Sequence, residues 1–141
     1  MTIDLSFKKQ YTEARLLCDF ILNEFPNYTD ARILKGRTLA WERDYENSEK
    51  ELLNALKRSP YYDDTYLAIL DMYWWSGQED KSIEIYNQAI KNEVKNPEIS
   101  FKIAKTYQRA NNKKMAIKLI DSVIKNHPNN TDYLTFKKTL R

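Results

Sequence analysis

The sequence predicts an all-α fold, a stack of antiparallel helix hairpins, and two observations support this prediction. The first is a strict period: four small residues recur every 34 positions along the 141-residue chain, at Ala14, Ser48, Ser82 and Ala116. A fixed period of this length is typical of stacked repeat proteins, whose units bury their apolar faces against their neighbours. The second is composition, since only two Gly, four Pro and 42% hydrophobic residues suit a helix-rich domain.

The apolar residues are spaced as on one face of an amphipathic helix, and these stretches come in pairs. The predicted pairs cover residues 29–43 and 45–59, 63–76 and 79–92, and 97–110 and 113–126. Gly77 and the Asn111-Asn112 pair end helices, because Gly and Asn tolerate the left-handed conformation found there. Links of two to four residues make the paired helices antiparallel neighbours.

The two ends of the chain are predicted to differ from the middle. We expect a short leading helix between Thr2 and Lys8, before a helix over Tyr11–Asn23. Near the other end, Tyr133, Phe136 and Leu140 give the last helix an apolar face that covers the open end of the stack. The chain is then a single domain over residues 1–141, with a partial first repeat at 1–28, full repeats at 29–62, 63–96 and 97–130, and an end helix at 131–141.

Charge is distributed unevenly along the chain. Residues 91–141 carry 12 Lys and Arg against four Asp and Glu, a net of +8, whereas residues 1–90 carry 11 against 16, a net of −5. Such an asymmetry affects the choice of partner and the rate of association rather than the fold. No apolar run reaches the roughly 18–20 residues that span a bilayer, so we expect no membrane contact by this segment.

The residue types predict neither catalysis nor a metal or cofactor site. Cys18 is the only cysteine, which excludes a disulfide framework and a multi-cysteine metal site, and it lies on an apolar stripe. The only histidine, His127, precedes a proline in a predicted loop and has no Ser or Cys nucleophile at repeat spacing. Gly36 and Gly77 are isolated, so no phosphate loop is present. Lysines cluster at residues 102–118 on different faces of two helices, which favours a solvated surface over nucleic-acid binding.

The 34-residue unit resembles the tetratricopeptide repeat (TPR) when it starts at Thr29, Asp63 and Pro97. Small side chains let the two helices of a TPR hairpin approach closely, and a large one fills the gap between units. We number the positions of each unit from its first residue and call them slots. The pattern is carried by Gly36, Leu70 and Ala104 at slot 8, Leu39, Tyr73 and Tyr107 at slot 11, Ser48, Ser82 and Ala116 at slot 20, and Ala55, Ala89 and Val123 at slot 27. Leu70 departs from the pattern, since a small residue is expected at slot 8. The resemblance implies a right-handed TPR-type α-solenoid, a non-catalytic scaffold whose concave groove binds a protein or peptide ligand.

In TPR stacks the leading helix of each hairpin lines the groove through slots 2, 5, 9, 12 and 13. Carried over to this chain, those slots hold Asp30, Ile33, Arg37, Ala40 and Trp41, then Asp64, Leu67, Asp71, Trp74 and Trp75, then Glu98, Phe101, Lys105, Gln108 and Arg109. We expect the tryptophans to be apolar anchors and charged side chains to orient the partner, because Trp and Arg often dominate binding energy. The candidate binding residues are Arg37, Trp41, Asp71, Trp74, Trp75, Lys105 and Arg109.

Structural roles for the same residues stay open. A tryptophan at slot 12 or 13 is equally compatible with the edge of the core, although Trp74 and Trp75 are 100° apart on a helix and are not expected to be buried together. Arg37 and Asp71 are equally able to form a simple ion pair between helices. Ile33 and Arg37 stand where the clamp of chaperone-binding TPR domains has Lys and Asn, which disfavours that class of partner.

A narrower resemblance concerns residues 31–41, Asp44-Tyr45 and residues 71–77, including their Gly-Arg-x-x-Ala-Trp and Tyr-Trp-Trp-Ser-Gly strings. These stretches are similar to the periplasmic repeats of YaiO-type bacterial outer-membrane proteins. The resemblance implies a place in the periplasm or cell envelope. It leaves two alternatives to protein binding: a carbohydrate-binding domain whose tryptophans stack on an exported polysaccharide, or a structural spacer of an outer-membrane or exopolysaccharide export protein.

Overall fold

The computed structural model describes residues 5–140, which form a stack of helices without a strand in that range. The predicted all-α architecture is therefore confirmed. In chain order the helices are α1 Leu5–Glu24, α2 Thr29–Trp41, α3 Tyr45–Arg58, α4 Asp63–Ser76, α5 Glu79–Lys91, α6 Pro97–Arg109, α7 Lys113–Asn126 and α8 Thr131–Lys138. We call α2, α4 and α6 the leading helices, and α1, α3, α5 and α7 the trailing helices.

The N-terminal region differs from the prediction. One continuous helix, α1, replaces the expected short helix up to Lys8 and the separate helix from Tyr11. The physical reason is that Lys9 and Gln10 are good helix formers and no Gly or Pro interrupts the segment. The Thr12 hydroxyl also donates to the Lys8 carbonyl at 3.0 Å, across the expected break. The expected helix start at Thr2 lies outside the described residues.

Each hairpin turn contains a residue with a positive φ at the same repeat position. These residues are Arg43 (φ 65°), Gly77 (φ 71°) and Asn111 (φ 62°), separated by 34 positions. The sequence predicted the last two from residue type, but an arginine carries no such signal. Side-chain caps then start the following helices: Asp44 accepts from the backbone N–H of Asn47 at 3.2 Å, and Asn112 from that of Met115 at 3.2 Å.

The small residues pack in the seam between the helices of a hairpin, as predicted. Ser48, Ser82 and Ala116 are all buried. The Ser48 hydroxyl donates to the Gly36 carbonyl at 2.7 Å, which joins α2 to α3. A Cβ atom added at Gly36 would lie 2.5 Å from Cδ2 of Leu52, so this position accommodates only glycine while Leu52 fills the seam.

The hairpins stack so that each leading helix contacts the next, α2 against α4 and α4 against α6. One apolar core runs from Ile33 to Ile103, and a second covers the C-terminal end. In the second, Tyr133, Phe136 and Leu140 are buried, which confirms the predicted end cover. No helix among residues 5–140 combines the length and apolar character needed to cross a lipid bilayer.

Polar bonds between residues 32–35 positions apart, roughly one repeat, join the starts of successive leading helices and of α8. The Tyr62 hydroxyl donates to Asp30 at 2.6 Å, the Asn96 amide to Asp63 at 2.8 Å, and the Tyr133 hydroxyl to Glu98 at 2.7 Å. Burial and the bond to Glu98 raise the pKa of Tyr133 to about 12, so this hydroxyl keeps its proton, and its bond to Glu98, at pH values above the usual tyrosine pKa of about 10. These bonds hold the repeats in one register.

Candidate functional site

The leading helices form a common surface, here called the groove, and a single carboxylate joins all three of them. One oxygen of Asp71 on α4 lies 2.9 Å from Nη1 of Arg37 on α2, and the other lies 2.6 Å from Nζ of Lys102 on α6. All three side chains are about one-quarter exposed, at 22–26%. The inter-helix ion pair between Arg37 and Asp71, one of the two interpretations left open by the sequence, is therefore present in the structure.

Lys105 lies next to this chain of charges, on the same face of α6 as Lys102. Its ammonium nitrogen is 4.3 Å from the centroid of the Phe101 ring. Burial, followed by repulsion from Lys102, lowers the pKa of Lys105 below its usual value despite nearby carboxylates. In the described part of the chain Lys105 has no carboxylate within ion-pair distance, unlike Lys102 and Arg109. Lys105 thus presents a half-buried positive charge to the groove.

The charge on Lys105 is expected to cost stability, so Lys105→Met should raise the melting temperature by about 1–3 °C at about pH 7. Methionine keeps an apolar stem against Phe101 and adds a sulfur–aromatic contact. Because the folded-state pKa of Lys105 is lowered, the unfolded chain binds more protons between the two pKa values and wild-type stability rises with pH there. The advantage of the variant should therefore shrink as the pH approaches about 10.

Thermal unfolding followed by circular dichroism at both pH values measures this effect. Lys118→Met on α7 is the matched control, because Lys118 is exposed and its replacement should leave the melting temperature unchanged. A Lys105→Met protein that melts below this control would show that the charge stabilises the fold.

A small cleft opens between α4 and α6 beside these charges. Its volume is about 50 Å³, and it is lined by Leu70, Asp71, Trp74, Lys102, Lys105 and Thr106. By the same measure about 10–15 Å³ holds one water molecule, so the cleft has room for a few waters or for one functional group such as a carboxylate, rather than for a whole small molecule. Lys105 supplies the positive charge that would bind such a group, and Trp74 supplies an apolar wall.

The tryptophans have three different environments. Trp74 is half-buried, and the guanidinium of Arg109 lies 3.5 Å from its ring centroid, held there by Glu79 at 2.8 Å and by the Trp74 carbonyl at 2.8 Å. One face of this indole is therefore covered. Trp75 is 45% exposed, so the neighbouring pair is not buried together, as expected from their angular separation. Trp41 is 39% exposed and contacts the Tyr11 ring of α1 at 5.4 Å between centroids.

The structure brings together some of the predicted residues and separates others. Arg37 with Asp71, and Trp74 with Arg109, form contacts, and Lys105 lines the same cleft as Asp71 and Trp74. Trp41 packs against α1 instead. Two predicted groove positions, Ile33 and Ala40, are buried in the core because α4 packs closely against α2 at that point.

Sequence reasoning missed Lys102 as a member of the site. It was grouped with the solvated lysines, yet it binds the central carboxylate of Asp71. The available signal was its spacing from Lys105: residues three positions apart share a helix face, so both lysines reach the same neighbouring helix.

No cluster of three or more potential metal ligands occurs among the residues that the structure describes. Cys18 is buried, and burial raises the pKa of its thiol, which makes it a poor nucleophile.

Comparisons with known proteins relate the chain to a family model and to solved structures. Residues 4–133 match the family model described as Psidin, N-terminal TPR repeats region. The fold is similar to the crystal structure of TTC0263, a thermophilic TPR protein in Thermus thermophilus, with a TM-score of 0.78 and 18% identity over 94% of this chain and 73% of that chain. No curated protein matches the sequence. The predicted TPR architecture is thus confirmed, whereas the resemblance to YaiO-type repeats stays a prediction.

Proposed function

Because this chain belongs to the family of the Psidin N-terminal TPR repeats region, a class of protein-interaction scaffold, we propose that it binds a protein segment non-catalytically in its groove. The segment carries an acidic side chain next to an aromatic or aliphatic one. The acidic group enters the cleft between α4 and α6 and binds Lys105, while the apolar group packs on Trp75.

The observation that supports this proposal is the environment of Lys105. A half-buried ammonium without an ion pair in the described chain is unfavourable, and a carboxylate from a ligand would relieve that cost. Arg37 and Lys102 share Asp71, and Arg109 is held by Glu79, so these three charges already have carboxylate partners within the chain. Of the tryptophans, Trp75 offers the most exposed ring.

The charge of the C-terminal part of the chain favours the same kind of partner. Residues 91–141 carry a net charge of +8 and include α6, which contributes the groove lysines. A positive surface attracts an acidic segment and raises its association rate, and salt weakens this effect.

Carbohydrate binding is a second candidate, and the exposed rings of Trp41 and Trp75 favour it. Aromatic side chains present flat apolar faces of the kind that sugars stack on. The structural spacer is the third possibility, and it needs no ligand in the groove.

The proposal also places the chain in the periplasm or cell envelope of a bacterium. The support for this location is the resemblance of residues 31–41 and 71–77 to YaiO-type repeats. Cell fractionation with an antibody against the chain tests that location.

Titration of intrinsic tryptophan fluorescence tests the proposed ligand class. The probes are short peptides with one aromatic residue flanked by glutamates, the same peptides with lysines instead, and neutral oligosaccharides. We expect the acidic peptides to bind with a Kd of about 10–100 μM, more weakly as salt increases, and the lysine peptides not to bind. Lys105→Met and Trp75→Ala should each weaken binding about tenfold or more.

Lys118→Met serves as the control, since it removes the same charge from an exposed site on α7. Equal weakening by Lys105→Met and Lys118→Met would mean that only net charge matters and would contradict the cleft. Binding of oligosaccharides that depends on Trp41 and Trp75 would favour the second candidate, and a groove that binds none of the probes would favour the spacer.

A further inference from the structure

Helix α1 exposes an apolar patch that the stack of repeats does not use. Leu16, Leu17 and Phe20 are 65%, 60% and 68% exposed, and they share one face of the helix. Large apolar side chains grouped in this way mark an interaction surface more often than single exposed ones do.

The repeat register shows that two residues of this patch, Leu16 and Phe20, are specific to α1. The residues in the same repeat position as Leu16 are Lys50, Glu84 and Lys118, and those in the position of Phe20 are Asn54, Gln88 and Ser122. The other trailing helices therefore carry polar residues at both positions. Because the fold is the same in every repeat, packing within the stack does not require Leu or Phe there.

The packing of α1 also differs from that of the other trailing helices. α3 lies between α2 and α4, α5 between α4 and α6, and α7 between α6 and α8. Within residues 5–140, the extensive contacts of α1 are with α2 alone, so no second helix of this range covers its other side.

Charged residues at the two ends of the patch have opposite signs. Lys9 lies at one end of the same face, and Glu24 lies at the other end, as the last residue of α1. Neither forms an ion pair within residues 5–140. A carboxylate at a helix C-terminus is unfavourable beside the negative end of the helix dipole, and α1 has no basic residue in its last turn to offset it.

We propose that this face of α1 binds a second copy of the chain, with the two α1 helices antiparallel about a two-fold axis. Lys9 precedes Leu16 by as many residues as Glu24 follows Leu17. When Leu16 of one antiparallel helix contacts Leu17 of the other at the centre, Lys9 of each copy therefore faces Glu24 of its partner. A parallel arrangement would place Lys9 against Lys9 and Glu24 against Glu24. The charges at the ends of the patch are therefore complementary in the antiparallel orientation only, as an isologous interface requires.

The contact is small, so the dimer is expected to be weak. Stable interfaces bury about 1,200–2,000 Å² in total, and one pair of helices with three apolar residues per copy lies at or below the low end. We expect a dissociation constant of about 10–100 μM and a monomer–dimer equilibrium without larger species.

Sedimentation equilibrium of the full chain over about 1–500 μM measures this association. The test variant is Leu16→Lys with Phe20→Asn, which introduces the residues found at the same positions of α3 and is therefore compatible with the fold. It should weaken dimerisation about tenfold or more while helical content and melting temperature stay unchanged. Ile90→Lys is the matched control, because Ile90 is 57% exposed on α5, away from the patch, and its replacement should not change association.

Charge exchange tests the orientation. Lys9→Glu and Glu24→Lys should each weaken the dimer about threefold to tenfold, and the two together should restore it, since the opposite charges then face each other again. A wild-type chain that is monomeric throughout the range, association that survives Leu16→Lys with Phe20→Asn, or chains longer than dimers would overturn the proposal. Failure of the charge exchange to restore association would overturn the antiparallel arrangement.

Discussion

Replacing Tyr66 by Ala is expected to lower the free energy of unfolding by about 3–5 kcal/mol. Tyr66 is completely buried on α4, in the core that joins the repeats. Its hydroxyl donates to the Pro60 carbonyl at 2.5 Å and accepts from the Asn92 side-chain amide at 3.0 Å. Truncation would therefore leave a cavity and break a link between the loop before α4 and the end of α5.

The variant Tyr66→Phe separates the two contributions. It keeps the ring in the core and removes only the hydroxyl, so its cost should be about 1–2 kcal/mol. The cost stays small because Asn92 also donates to the Pro60 carbonyl directly, at 3.3 Å, and keeps one partner. Urea unfolding followed by far-ultraviolet circular dichroism gives both values. A Tyr66→Ala protein destabilised by less than about 1 kcal/mol would contradict the role of Tyr66 as a core residue.

The second large effect is expected in the seam between α2 and α3. Leu52→Ala should lower the free energy of unfolding by about 2–5 kcal/mol, because Leu52 is fully buried and nothing else fills its place. Gly36→Ala in the wild-type background should also destabilise, since the added Cβ would lie 2.5 Å from Leu52 Cδ2. Overpacking costs about 1–3 kcal/mol, against a gain in helix propensity of about 1 kcal/mol.

In the Leu52→Ala background the sign of the Gly36→Ala effect should reverse. The new methyl group then enters the space that Leu52 has left, and the propensity gain is no longer offset. A double-mutant cycle measured by urea unfolding should therefore give a favourable coupling of about 1–3 kcal/mol. Ile120→Ala provides the control, because Ile120 holds the same repeat position in α7, far from Gly36 along the stack. A cycle between Gly36→Ala and Leu52→Ala that is simply additive would refute the contact.

Much of the fold could be predicted because its information is local or periodic. The small residues at Ser48, Ser82 and Ala116 indicated where helices approach, and all three are buried in the seam. Tyr133, Phe136 and Leu140 indicated a covering end helix from their spacing alone. The break before Tyr11 was wrong because an amphipathic pattern shows where a helix has an apolar face but not whether two such segments are continuous.

The candidate site was harder to predict, as Asp71 and Arg109 illustrate. Leading-helix slots correctly indicated that Arg37 and Asp71 would be neighbours. They did not indicate that Lys102 takes the other carboxylate oxygen, or that Arg109 covers the face of Trp74 while Glu79 holds it in place. The same slots placed Ile33 and Ala40 in the groove, although both are core residues.

Periodicity was thus sufficient for the all-α stack, the helices from α2 onward and the seam residues, because each of these depends on neighbours along the chain or about one repeat away. The partners of Lys102 and Arg109, and the lack of an ion pair at Lys105 within residues 5–140, followed only from the packed molecule. Long charged side chains reach several residues on adjacent helices, and the distances and burial that select among those residues are set when the hairpins stack.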